Sequence, residues 1–278
     1  MDLSIIIVNY DTKQLLKNCL SFVFNNQPTI SFEVFVIDNG STDGSLTMIK
    51  KEFPQVSIVK NKHNLLYSKA NNQGLKKTKG VYVLILNSDV MLGKGVLDTM
   101  TTFMKTHPQC GLASCREVDQ NGKTIRTGHQ YHNPFVQIIE LPFFVKFFRN
   151  SSILKKFHYE DWNRKSTKKV DTIPGSFMFG RLDILKKVGF FDVHMKLFFS
   201  DADLCLRVHR AGYDIYHHGH VTITHIKAET LKHFTLNEIL MQSYQDMFYY
   251  YKKHFGIFWA TLIFFFTKLS LLYYKVAK

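Results

Sequence analysis

Four apolar runs in the first 90 residues each carry an amide or a carboxylate at their last or next-to-last position: SIIIVNY (4–10), EVFVID (33–38), VSIVKN (56–61) and VYVLILN (81–87). Their length and β-branched content predict strands, and their near-continuous apolarity predicts burial on both faces. The segments between them have helical periodicity. Asp11 is a candidate N-cap for a helix carrying Leu15, Leu16, Cys19, Leu20 and Val23 on one face. Ser41 or Asp43 can cap a helix through Leu46 and Ile49, and a third helix is expected from Ser68 to Lys77. This alternation predicts an α/β fold with a mainly parallel sheet covered on both sides. In such a sheet Asn9, Tyr10, Asp38, Asn39, Asn61, Asn64, Asn87 and Asp89 fall at the carboxyl ends of strands, where open parallel sheets bind ligands. Asn and Asp are also ordinary turn residues, but four such ends converging on one edge favour a site.

The turns narrow the kind of ligand. VNYDTK, after the first strand, contains no glycine, so the dinucleotide fingerprint is absent, and no G-x-x-x-x-G-K-[ST] occurs either. A nucleotide held without these loops needs side chains to read its base and a cation for its phosphates. Asp38 can accept from a pyrimidine N–H. Asp89, which ends an apolar run with no basic neighbour, can stay charged by ligating Mg²⁺ or Mn²⁺ that bridges a diphosphate. A formal charge of +14 favours anionic partners: phosphate, nucleic acid or an anionic membrane. The basic stretch from Lys60 to Lys79 offers only Tyr67 for base stacking, which argues against nucleic acid.

SIIIVNYD, VIDNGSTDGS, NLLYSKANNQG and LILNSDV, in that order and spacing, resemble the inverting family 2 glycosyltransferases of GT-A fold, specifically their rhamnosyltransferase-like branch. The resemblance continues through PGSFMFGRLDILKKVGFFD, FFSDADLCLRVHRAGY and ITHIKAET, covering roughly residues 3–230. It implies a GT-A sheet, mixed but mainly parallel, and a nucleotide-sugar donor contacted by Asn9, Tyr10, Asp38, Asn39, Asn64, Asn72, Asn87 and Ser88. Asp89 would ligate Mg²⁺ or Mn²⁺, and His225 could complete its coordination. Asp201 would be the general base that deprotonates the acceptor hydroxyl. Gly175 and Ser176 would line the acceptor side, with Asp203 in structure or acceptor positioning. Two departures from the family pattern stand out. Ser200 sits where Glu is usual, and Leu66 where Gly is common, so that loop is expected to avoid a left-handed backbone.

Other readings of these residues compete. Asp201 and Asp203 open a helix, whose dipole and N-cap account for at least one of them. The run HHGH at 217–220 looks metal-binding, but strand alternation sends neighbouring residues to opposite faces. His225 is equally readable as a solvated strand-end histidine. The Q-x-x-R-W signature of processive synthases is absent, so one sugar per encounter is expected.

The C-terminal run FGIFWATLIFFFTKLSLLYY (255–274) has about the length of a spanning helix but is interrupted by Lys268. Flanking lysines and aromatics predict an interfacial or partly inserted helix. The expected division is a glycosyltransferase domain over 1–232, nucleotide-binding to residue 90 and acceptor-binding beyond it, then a membrane-associating helical extension over 233–278. Four cysteines without paired spacing read as reduced thiols, and the N-terminus reads as a strand instead of a signal peptide. With these readings the resemblance implies transfer of a single sugar from a UDP- or dTDP-sugar to a glycan or lipid-linked acceptor, dTDP-rhamnose being a candidate on the resemblance alone. The setting would be bacterial surface polysaccharide assembly at the cytoplasmic face of the membrane, and a homodimer is allowed though not required. The rival reading is a catalytically silent nucleotide-sugar-binding protein, motivated by Ser200 and Leu66.

Overall fold

The computed structural model describes residues 1–26, 28–226 and 230–276. Each N-terminal apolar run forms a strand: β1 (Leu3–Asn9), β2 (Phe32–Asp38), β3 (Ser57–Lys60) and β4 (Tyr82–Asn87). Three helices connect them, α1 (Lys13–Asn25), α2 (Ser45–Glu52) and α3 (Leu66–Leu75). The first cap differs from expectation: Thr12 is the N-cap of α1, while the Asp11 carboxylate accepts from the Thr42 amide at 2.6 Å and braces the next turn. The second half supplies β5 (Val90–Leu92), α4 (Val96–Thr106), β6 (Cys110–Val118), β7 (Thr124–Ile125), α5 (Pro134–Glu140), α6 (Pro142–Phe148) and α7 (Ser152–Phe157). Then come β8 (Lys168–Lys169), β9 (Phe177–Arg181), α8 (Leu182–Val188), α9 (Ser200–Arg210), β10 (Asp214–His225), α10 (Leu236–Phe255) and α11 (Ile257–Val276).

The main strand order is β3-β2-β1-β4-β9-β6-β10-β5. β1 pairs in parallel with both β2 and β4, Asn9 standing opposite Asp38 and Val8 opposite Asn87. The chain steps outward from β1 to β3 and then returns to the other side of β1, which makes the carboxyl ends of β1 and β4 a topological switch point. β9 is antiparallel to β4 and β6, and β10 runs parallel to β6. The sheet is therefore mixed, with a parallel half formed by β3, β2, β1 and β4.

Pleat alternation divides the core. Ile5 and Ile7 pack with Leu16, Cys19, Leu20, Met48 and Met100 on one face, whereas Ile6 packs with Ala70, Leu75, Leu185 and Leu204 on the other. Burial of each Ile, Leu or Met among them contributes about 2 kcal/mol. All four cysteines are free and buried.

A Thr235–Glu238 capping box starts α10, and Gly256, at φ +90°, lets α11 fold back along it. Met247, Tyr250, Tyr251, Ala260 and Ile263 of the pair form a third cluster with Met195, Ala202 and Leu206. Among the described residues no helix is long and apolar enough to cross a membrane. The outer side of α11 nonetheless exposes Phe258, Phe265 and Leu269, beside exposed Phe147 of α6.

Candidate active site

A cleft of about 370 Å³ opens where β1, β4 and β10 end and α9 begins. Of the residues expected from sequence, Tyr10, Asn39, Asn64, Asn87, Ser88, Asp89, Gly175, Ser176, Asp201 and His225 line it. They come from both halves of the chain and meet because β9, carrying Ser176 just before it, sits beside β4 in the sheet.

Asn9 and Asp38 lie beneath this lining, each 0% exposed. Asp38 accepts from the Asn9 amide at 3.0 Å and from the Ser41 main-chain N–H at 3.1 Å. Asn9 in turn accepts from Thr12, whose hydroxyl meets Ser88 Oγ at 3.0 Å. A second chain of amides joins Asn39 to both Asn64 and Asn61 at 3.0 Å. This satisfied network fixes the floor, since each polar group has its partner without solvent.

The Asn64–Leu66 turn departs from expectation. Leu66 takes the left-handed backbone, φ +61°, that a leucine was expected to exclude. Asn64 Oδ1 accepts the Leu66 N–H at 2.8 Å, and α3, which starts at Leu66, is anchored by Ser68 to the carbonyls of Met195 and Lys196, which holds the turn despite the strain. One more expectation is corrected, and a second is narrowed. Asn72 is outside the cleft, its amide clasping the main chain of Phe191 through two bonds of 2.8 and 3.1 Å. Asp203 is fully buried and points away, bound by Arg207 at 2.8 Å, Lys253 at 2.6 Å and His254 at 2.8 Å. Burial opposes its charge, but these three donors outweigh it and hold the carboxyl below its usual range.

Asp201 differs from its neighbour. Its Oδ2 accepts the Gly175 N–H at 3.2 Å and its Oδ1 the Ala202 N–H at 2.9 Å. Among the described residues no Lys, Arg or His lies within ion-pair distance of it, so the carboxylate is left facing the cleft. Tyr67 braces this arrangement by donating to the Gly175 carbonyl at 2.7 Å.

Asp89 is 4% exposed, and among the described residues its Oδ1 has no hydrogen-bond donor. His225 Nε2 stands 3.4 Å from that oxygen, an ion-pair approach outside hydrogen-bond alignment. Sequence reasoning missed the residue behind it. Glu117, 1% exposed in the middle of the sheet, pairs with His225 Nδ1 at 2.8 Å and accepts from Ser176 Oγ at 2.6 Å. Burial pushes the His225 imidazole down, but the carboxylates of Asp89 and Glu117 more than reverse this and bring it up to about 9. Among the described residues no cluster of three or more His, Cys, Asp or Glu forms a full ligand set. An orphaned carboxylate oxygen beside an imidazole nitrogen still fits a hard divalent cation that takes its remaining ligands from diphosphate and water. The HHGH run does not fit a metal: His217 is buried against the Arg164 carbonyl at 3.0 Å, whereas His220 is exposed. Leu197, Phe198 and Phe234 also line the cleft and carried no sequence signal. Residues 227–229, within ITHIKAET, lie outside the described residues.

The Glycosyl transferase family 2 model matches residues 4–189, more than half of the chain. The poly(ribitol-phosphate) beta-glucosyltransferase of Bacillus spizizenii is 28% identical over 146 residues, 50% of this chain and 23% of that protein. An uncharacterized glycosyltransferase of Bacillus subtilis, YfnE, is 31% identical over 122 residues, 40% of this chain and 30% of its own length. The match thus spans less than a third of these curated relatives. Among solved structures, the Pyrobaculum calidifontis mannosyltransferase PcManGT in complex with GDP-Man and Mn²⁺ superposes with TM-score 0.60 at 15% identity, over 99% of this chain and 75% of that one.

Proposed function

The chain belongs to glycosyl transferase family 2 and has the GT-A fold, and from that premise we propose that it transfers one hexose, with inversion, from a UDP- or dTDP-sugar to an acceptor hydroxyl. The observation that carries this reading is the pairing of two carboxylates across one cleft. Asp89, beside His225, sits at the end of β4, and Asp201, with no cationic partner among the described residues, sits at the start of α9. Asp201 takes the proton from the acceptor hydroxyl, whose oxygen forms the new bond to the anomeric carbon as the bond to the diphosphate breaks. A single displacement of this kind inverts the anomeric centre. The wall around Tyr10, Asn39, Asn64, Asn87 and Ser88 holds the nucleoside, with Asn9 and Asp38 supporting it from below. Asp89 and His225 would hold Mg²⁺ or Mn²⁺, which when bound supplies positive charge to the leaving diphosphate.

For the acceptor we propose a hydroxyl on a bacterial surface polymer or its lipid-linked precursor, a reading supported by relatives named for poly(ribitol-phosphate). dTDP-rhamnose stays among the donors to be tried. The basic segment 144–169 and the apolar outer side of α11 support peripheral attachment to the cytoplasmic leaflet, Phe147 being 73% and Phe258 68% exposed. The test is release of free nucleoside diphosphate from a panel of UDP-, dTDP- and GDP-sugars with parent, Asp201→Asn and Asp89→Ala proteins. Transfer by the parent and its loss in both variants is expected. Tight donor binding by the parent with no transfer to any acceptor would favour the silent binding protein.

A further inference from the structure

Asp246, midway along α10, is 0% exposed, and among the described residues no Lys, Arg or His pairs with it. It takes four N–H donors instead. The main-chain amides of Lys196, Leu197 and Phe198 reach it at 3.0, 2.9 and 2.9 Å, and the Gln242 side chain at 2.7 Å. Three consecutive amides turned onto one carboxylate make an anion nest whose anion is supplied by the protein's own C-terminal helix. The segment held in this way is part of the cleft, because Leu197 and Phe198 line it. Phe199 follows in a left-handed conformation, φ +57°, which is strained for a non-glycine residue, and then α9 begins with Ser200 and Asp201. The Phe199 ring packs on Tyr250 of α10 at 5.3 Å. Just beyond Asp201, Lys253 and His254 of α10 bind Asp203. Helix α10 therefore grips the base-bearing turn on both sides of Asp201.

We infer that Asp246 is a positioning residue for that turn, so that the C-terminal helix pair completes the acceptor side of the cleft instead of serving only as an appended anchor. This rests on the assignment of Asp201 as base. Among the described residues the donor-side groups on β1, β2 and β4 make no bond to Asp246. The held segment meets α3 where the Ser68 N–H donates to the Lys196 carbonyl at 3.1 Å and the Ser68 hydroxyl to the Met195 carbonyl, and those bonds do not use Asp246, so loss of this carboxylate frees 197–199 to relax while the donor contacts stay in place. It also means that residue 232 is not a functional boundary.

The test uses the full chain and a soluble acceptor, which removes membrane attachment from the readout. Asp246→Asn, which keeps the shape but surrenders the charge, is expected to lower kcat by about 10- to 100-fold, the scale of a small misplacement of reacting groups. Donor affinity, from the shift in melting temperature with UDP, should stay within twofold. Parental kcat would overturn the inference, and so would an equal loss of donor affinity, which marks a general structural role. If Asp246→Asn does not fold, Gln242→Ala and Lys253→Met decide the matter: a three- to tenfold loss of kcat at unchanged donor affinity supports it, and parental behaviour in both overturns it. Asp201→Asn runs alongside. Turnover surviving there removes the base assignment itself, whereas an inactive Asp201→Asn beside a normal Asp246→Asn removes only the positioning role.

Discussion

Glu117 Oε2 and His225 Nδ1 lie 2.8 Å apart beneath the cleft, and the other oxygen of the same carboxylate holds Ser176 Oγ at 2.6 Å. One buried group thus orients a residue on the proposed cation side and a residue on the proposed acceptor side. Replacing it by an amide, Glu117→Gln, removes the charge that fixes the ring's orientation. The variant should lose about 1–3 kcal/mol of stability by urea unfolding. It should also bind Mn²⁺ some 10- to 100-fold more weakly by titration calorimetry, the usual scale for losing a carboxylate behind a ligating histidine.

The same pair gives the metal-free protein a pH signature. His225 is raised from 6.5 to about 9, so its protonated form is favoured by folding. The stability it contributes is complete below about pH 6.5 and is lost as pH rises through about 9. In EDTA the difference in melting temperature between parent and Glu117→Gln should therefore shrink steadily from pH 6 to pH 10. A difference that widens over this range would reverse the sign.

Tyr67 acts at one remove from Asp201, through the main chain of Gly175. Tyr67→Phe keeps the ring against Phe191 but drops the hydroxyl, and should reduce kcat about three- to tenfold with donor affinity unchanged. Gly175→Ala should be more damaging, because its Cβ would lie 2.5 Å from the Tyr67 hydroxyl. A kcat for Tyr67→Phe equal to that of the parent would show that Gly175 does not need this brace.

Arg164 is 1% exposed and donates to the carbonyls of Thr127, Gly128, His158, Tyr159 and Trp162. Arg164→Ala strands these five acceptors and should cost about 3 kcal/mol or more in urea unfolding. Arg164→Lys should recover only part of this, since an ammonium cannot reproduce the planar fork. Full recovery with lysine would mean that charge alone suffices.

The strands were legible because a parallel sheet covered on both faces requires unbroken apolar runs, and Leu3–Asn9 and Tyr82–Asn87 have little other use. The polar residues at their ends were legible for the same reason, as carboxylates such as Asp89 have no place in a buried strand without a partner. What stayed hidden was set by contacts distant in sequence. Asp203 stayed open between structure and acceptor positioning until Lys253 and His254, some fifty positions on, occupied it. Asn72 looked like a donor contact until Phe191 took its amide. Glu117 carried no local pattern, being one acid in the strand Cys110–Val118 whose partners lie 59 and 108 residues away. Leu66 misled because the rule that favours glycine at positive φ yields when Asn64 and a packed helix fix the turn.

The most direct measurement follows the proton acceptor. The parent and Asp201→Asn are compared for nucleoside diphosphate release with the best donor and acceptor of the panel, together with donor-induced shifts in melting temperature. The cleft geometry predicts a fall in turnover of about 10²- to 10⁴-fold in the variant, the range of a lost general base, with donor binding intact. Turnover in Asp201→Asn within a few-fold of the parent would contradict it.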